Sequence, residues 1–184
     1  MQYKLVTKPT TYPLSLSEAK LHLRVTSTEE DQRISGLIKS ATDQVESYSR
    51  RQLITATWDL FMDVFPDVIY LEKSPIVSVT HMKYYNSANV LTELSTSNYN
   101  ADVNSEPGRI ICAYGQSWPD VYRRPSAIQI RFVAGYGNPA DVPDAIKDGI
   151  YLTLTHLFEN RGDEARRIPY IVQDVLQPYR VFRF

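Results

Sequence analysis

The period of the hydrophobic pattern changes twice along this chain, and that limits its fold more than any single motif. Within residues 15–51, Ile34, Leu37, Ile38, Ala41, Val45 and Tyr48 recur at helical spacing and form one amphipathic stripe. Across about 53–134 the pattern switches to period two. There Ile54, Ala56, Trp58, Leu60, Met62 and Val64 alternate with Thr55, Thr57, Asp59, Phe61, Asp63 and Phe65. From Gly135 the helical period returns, with Ile146, Ile150, Leu154, Leu157 and Phe158 on one face. A chain with helices at both ends and strands between must bury each helical stripe, and the nearest apolar partners are the other helices. The expected fold is therefore α+β. Three to four helices drawn from residues 1–52 and 135–178 make a bundle, and residues 53–134 form an inserted antiparallel β-rich subdomain.

Local signals refine these zones. Ser15-Leu16-Ser17-Glu18 reads as a capping box, followed by Leu16, Ala19 and Leu23 on one face. A second box, Ser27-Thr28-Glu29-Glu30, is expected to open the longer helix. Glu29, Glu30 and Asp31 sit at its positive end and Arg50 and Arg51 at its negative end. Strands are expected at 68–72, 76–85, 90–94, 99–103, 109–113 and 127–134, separated by Phe65-Pro66-Asp67, Ser74-Pro75, Asn86–Asn89 and Ser105–Gly108. Their short spacing favours antiparallel hairpins over a parallel sheet. In the last zone Pro143 is placed as a first-turn proline and Gly162 as a helix stop. Beyond the charged loop Asp163–Arg167, Pro169 opens a short helix ending at Pro178.

Composition removes several classes of function. Lys and Arg number 20 against 21 Asp and Glu, a net charge of −1, so no overall field draws the chain to nucleic acid or an anionic membrane. A single cysteine, Cys112, leaves no internal disulfide framework and no cysteine-based zinc site. The segment Met1–Val6 lacks the apolar stretch of a signal peptide, and no run approaches the roughly 20 apolar residues of a membrane span. A soluble, non-secreted protein is expected.

Four kinds of chemistry have candidate residues in this chain. Gly135-Tyr136-Gly137-Asn138-Pro139-Ala140 matches a dinucleotide fingerprint, but Pro139 and Pro143 delay the helix that would receive the pyrophosphate. A glycine-permitted turn between strand and helix is the better reading. Ser117 in Gly115-Gln116-Ser117-Trp118-Pro119 resembles a nucleophile elbow, yet proline replaces the final small residue. The histidines His22, His81 and His156 fall in three different zones. His156 and Glu159 share a helix face, but in the reverse order of a carboxylate-bridged bundle and only once. The pairs Arg50-Arg51, Arg123-Arg124 and Arg166-Arg167 are scattered and make no basic stripe. No catalytic residue, metal ligand or cofactor is expected, and the protein is not expected to be an enzyme.

The last six residues are less easily set aside. Tyr179, Val181, Phe182 and Phe184 alternate with Arg180 and Arg183, where chain ends are usually polar. Tyr and Arg are favoured at interface hot spots. Two readings stand: a terminal strand folding back on the protein's own sheet, or a segment inserting into a partner's sheet edge or groove.

In order along the chain, several blocks resemble the phage head–tail connector (adaptor) proteins of the gp6-like and gp8-type kind. They are Pro13–Lys20 through Leu23-Arg24-Val25, Arg51–Trp58, Pro107-Gly108-Arg109-Ile110, Trp118-Pro119, Ala134–Gly137, Val142–Ile146 and Phe158-Glu159-Asn160-Arg161. Leu157-Phe158 stands where that family suggests an aromatic pair. The resemblance implies a structural protein of a tailed phage or phage-like particle. Such a protein forms a homo-oligomeric ring, usually of twelve copies, below the portal protein at the neck of the virion. Before assembly it would reside in the host cytoplasm. The ring would extend the channel through which packaged DNA passes without sequence-specific contact. It would also dock the next neck or tail component, a stopper or tail terminator. The resemblance places portal binding on Tyr179, Arg180, Val181, Phe182, Arg183 and Phe184. The alternative is a packaging factor that binds DNA directly, which predicts salt-dependent duplex affinity.

Overall fold

A computed structural model describes residues 1–160 and 168–182. Among these residues eight strands and four α-helices follow in the order β1 (Gln2–Thr7), α1 (Leu16–Leu23), α2 (Asp31–Ser49), β2 (Ala56–Met62), β3 (Val68–Leu71), β4 (Ile76–Tyr85), β5 (Leu91–Glu93), β6 (Tyr99–Asp102), β7 (Gly108–Cys112), β8 (Ile128–Ala134), α3 (Asp144–Glu159) and α4 (Tyr170–Leu176). The fold is α+β, as the two changes of period require. It divides into two compact units, one of Met1–Pro9 and Thr55–Gly135 and one of Thr10–Ile54 and Tyr136–Phe182.

The first unit is built from two antiparallel sheets, one ordered β1-β2-β8-β4-β5 and the other β3-β7-β6. Antiparallel pairing was expected, but most of it is not between neighbours in sequence. β2 pairs with β8, β3 with β7 and β4 with β8, and β1 pairs with β2 across the two helices between them; among the described residues only β4–β5 and β6–β7 are paired strands joined without an intervening helix or strand. Residues 2–7, grouped by the sequence with the helical ends, instead pair with β2 at the sheet edge, Tyr3 opposite Leu60. Every β1 residue but Tyr3 is exposed, so no clean alternation marks this strand.

Alternation sorts the larger sheet into two faces. Leu60, Ile130 and Met82 lie in register across β2, β8 and β4, as do Trp58, Phe132 and Val79. With Ile69, Leu71 and Ile110 of the second sheet they belong to one apolar core, most of it fully buried. Phe132 is completely buried and meets Tyr3 edge-to-face, 6.2 Å between centroids.

The opposite face is polar. Asp59, in register with Arg131, accepts two hydrogen bonds from that guanidinium (2.7 and 2.8 Å) and one from Gln129 Nε2 (2.8 Å). Burial pushes the Asp59 carboxyl up. The Arg131 and Gln129 hydrogen bonds, with the Arg131 charge, outweigh that and hold it below its ordinary 3.8. A depressed carboxylate contributes stability that is present above its unfolded value and lost as pH falls through its folded one. Asp59→Asn is therefore expected to destabilise this unit at pH 7 by about 2 kcal/mol. It should also flatten the loss of urea stability that the parent shows below pH 4, a difference read from denaturation midpoints at pH 7 and pH 3.

The second unit is helical. Ser15 caps α1 as its sequence signals: its Oγ accepts from the Glu18 N–H, and Glu18 Oε2 accepts from the Ser15 N–H. The second expected capping box does not start α2. Ser27 Oγ accepts from the Glu29 N–H in a local turn, and the helix begins at Asp31 with Glu30 before it. Asp31 instead pairs with Lys20 of α1. The stripe of α2 is as expected, with Ile34, Ile38, Ala41 and Val45 buried and Leu37 and Tyr48 packed at its margin. Ile146, Ile150 and Leu154 of α3 and Val172 and Leu176 of α4 complete this core.

Proline 143 precedes α3 as its N-cap rather than opening its first turn. The helix ends at Glu159, where Asn160 donates from its backbone and side chain to the His156 carbonyl. Gly162 and the charged loop 163–167 lie outside the described residues. Phe158, at the departure from the family's aromatic pair, takes the Arg33 guanidinium over its ring at 4.7 Å and accepts an Arg33 hydrogen bond at its carbonyl.

Candidate functional site

The C-terminal segment is positioned by the end of α2. Arg50 takes a left-handed conformation (φ 58°) and closes the helix. Glu46 holds the chain that follows, its Oε1 accepting from the Leu53 N–H (2.8 Å) and from Gln52 Nε2 (2.9 Å). This turn carries Arg51 inward, where it is only 7% exposed. The Arg51 Nε–H donates to the Tyr179 carbonyl, and its guanidinium lies 5.8 Å from the Tyr136 ring centroid. Two residues on, the Val181 N–H donates to the Ser49 carbonyl (2.9 Å), a group that the helix end leaves without an intrahelical partner.

The six predicted partner-binding residues thus separate. Tyr179 and Arg180 are half-buried, Val181 is 4% exposed and Phe182 is 54% exposed. Arg183 and Phe184 lie outside the described residues. The Arg180 guanidinium sits 5.1 Å from the Tyr48 ring and 5.7 Å from the Phe182 ring. Its Nε is buried with no hydrogen-bond partner among the described residues, so the two ring faces meet part of its charge. Residues 179–182 fold back on the helical unit as a short 3₁₀ turn and extended chain, not as a strand on a sheet. The receiving residues Tyr48, Ser49 and Arg51 were not evident as such from the sequence. Tyr48 was visible only as part of the α2 stripe, and the Ser49 contribution is a backbone carbonyl with no side-chain signature.

The other sequence candidates remain apart. Gly135 and Gly137 have φ of 131° and 125°, and a Cβ on Gly137 would lie 2.6 Å from Asp141 Oδ2. That carboxylate accepts from the Asn138 N–H, so the glycine pair serves a tight turn between β8 and α3. Ser117 lies in the loop between β7 and β8, and its neighbour Trp118 stacks on Phe65 at 4.7 Å. His22 contacts Thr155 and Tyr151, His156 contacts Asn160, and His81 lies opposite Arg131 on the polar sheet face. Among the described residues no group of three His, Cys, Asp or Glu could hold a metal ion.

Comparison with known proteins places the chain. It belongs to the phage gp6-like head–tail connector protein family, whose model matches residues 13–107, from the residues before α1 to those before β7. No curated protein matches it. Among solved structures its fold matches a chain in the neck of an empty gene transfer agent particle computed with C6 symmetry, at TM-score 0.84 and 22% identity. It also matches chains of the native gene transfer agent virion (0.81, 23%) and of the native neck computed with C12 symmetry (0.82, 21%). In each case the match covers 100% of this chain and 97% of the other.

Proposed function

We propose that the protein is a structural connector that forms a ring, usually of twelve copies, beneath the portal at the neck of a tailed phage or phage-like particle. The observation that carries this reading is the extent of the likeness. The connector family model spans α1 through β6, and the fold follows neck proteins over the whole chain. Packaged DNA would pass through the ring, and the next neck component, a stopper or tail terminator, would dock below it. Residues 179–184 are assigned to portal binding, with Tyr179–Val181 as the anchored base and Phe182 as the first presented side chain. Supporting this are the exposure of Phe182 and the holding of its base by Arg51 and Ser49. The protein carries out no reaction in this account; its work is fitting against neighbouring chains.

Sedimentation of the protein with its cognate portal tests this. A single species containing both proteins, with about as many connector as portal subunits, is expected. Separate boundaries at micromolar concentrations of both would contradict it.

A further inference from the structure

A ring face meets only part of a guanidinium's charge, so an arginine over an aromatic side chain still needs acceptors for its N–H groups. Among the described residues four arginines lie over rings, and three of them find such acceptors within the chain. Arg33, over Phe158, donates to Glu30 and to the Phe158 carbonyl. Arg51, over Tyr136, donates to the Tyr179 carbonyl. Arg124, 3.9 Å from the Tyr85 ring centroid, donates to Asn89 Oδ1. Arg180 is the exception. Its side chain makes no hydrogen bond and no ion pair among the described residues, although its Nε is buried.

The surroundings hold this guanidinium in place. The Tyr179 carbonyl accepts from Arg51, the Arg180 N–H donates to the Gln177 carbonyl (3.2 Å), and the Val181 N–H donates to the Ser49 carbonyl. The backbone is therefore fixed before, at and after the side chain. The Tyr48 ring, 5.1 Å from the guanidinium, is itself tied to α4, its hydroxyl donating to Gln177 Oε1 (3.3 Å) and to the Gln173 carbonyl (3.5 Å). Phe182 lies against the same guanidinium at 5.7 Å. A cation positioned in advance loses less entropy when a partner arrives.

The unmet donors define that partner. A guanidinium presents parallel N–H groups that match the two oxygens of a carboxylate or a phosphate, and burial of Nε leaves the terminal groups as the ones a partner can reach. The chain's own charges nearby do not supply the anion. Arg50 and Arg51 stand at the same end of α2, and Glu46 is taken up by the Leu53 N–H and Gln52. A single half-buried cation set against two rings suits a carboxylate projecting from a protein surface. Duplex DNA is held instead by several exposed cations spread along its phosphates, and a chain of net charge −1 offers no such field.

We propose that Arg180 is the receptor for an aspartate or glutamate side chain of the portal, bound through the terminal N–H groups while the Tyr48 and Phe182 rings shield the pair from water. This rests on the assignment of residues 179–184 to portal binding and names the chemistry they recognise.

Full-length Arg180→Gln and Arg180→Lys variants, titrated against the cognate portal by sedimentation, test it. Arg180→Gln should weaken binding at least about 30-fold, the loss of one strong hot spot. Arg180→Lys keeps the charge without the fork and should lose about 10-fold. Added salt should weaken the parent more than Arg180→Gln. Thermal melting is expected to match the parent for both; if the glutamine variant melts early, the lysine variant carries the test. Carbodiimide treatment of the Arg180→Lys complex should couple the introduced amine to a portal carboxylate, a link that peptide mass spectrometry locates and that a merely structural arginine would not give. Portal binding by Arg180→Gln at parent strength, or no coupling to a portal peptide, would overturn the proposal and leave the connector reading intact. Retention of the parent but not of Arg180→Gln on duplex DNA would overturn it in favour of a phosphate. A parent protein that fails to bind the portal at all would bring down the connector reading and this proposal with it.

Discussion

Removal of residues 182–184 is expected to abolish portal attachment while leaving the protein folded. Phe182 is more than half exposed, and what holds the segment in place lies upstream of it. The Arg51 contact ends on the Tyr179 carbonyl, and the Ser49 carbonyl receives the Val181 N–H. A cut after Val181 therefore keeps both of these hydrogen bonds and removes the exposed Phe182, whose ring lies beside the Arg180 guanidinium, while the Tyr48 ring near the same guanidinium stays. Loss of a hot-spot aromatic weakens association by roughly 30-fold or more, and losing a neighbouring arginine and second aromatic with it should carry the affinity below detection. Thermal melting should be unchanged within a degree or two. The contrasting variant is Val181→Asp, which places a charge at a buried site and should destabilise the helical unit by about 3 kcal/mol. If the truncated protein binds portals as the parent does, the assignment of portal binding to this segment is wrong.

The largest effect on stability is expected from Phe132→Ala, about 3–5 kcal/mol in the sheet unit. Phe132 occupies β8, which pairs with β2 on one side and β4 on the other. Its ring lies in register between Trp58 and Val79 and against Tyr3 of the edge strand β1. Truncation leaves a cavity bounded by three strands of hydrogen-bonded sheet, which cannot collapse far to fill it. Phe182→Ala removes the same atoms from an exposed position and should cost under about 0.5 kcal/mol. Urea midpoints of the two variants, measured side by side, check this. Equal shifts would mean that burial does not distinguish the two phenylalanines.

How much of this the amino-acid order discloses depends on the kind of contact. Helices α2 and α3 and strands β2, β3, β7 and β8 were legible because each buries one face, and a buried face imposes its period on the residues, whereas β5 buries no residue and was marked by the turn before it. β1 escaped because only Tyr3 of Gln2–Thr7 turns inward, too little to set a pattern. The pairing of β2 with β8 was hidden for another reason. Alternation says which side chains face the core, but not which strand, seventy positions away, completes the ladder. The start of α2 was misplaced because Ser27 satisfies a turn with the same hydroxyl that could have capped a helix. At the tail, the interleaved aromatic and arginine residues did not separate a buried residue from an exposed one. Val181 and Phe182 are adjacent apolar residues, and only the Ser49 carbonyl decides that the first is anchored and the second is presented.

Electron microscopy of the protein assembled on its cognate portal tests the central claim most directly. The account predicts a closed ring of connector subunits in contact with the portal, with density from residues 182–184 of each copy entering the portal surface. Portals that remain bare under saturating protein, or copies bound singly without lateral contact, would contradict it.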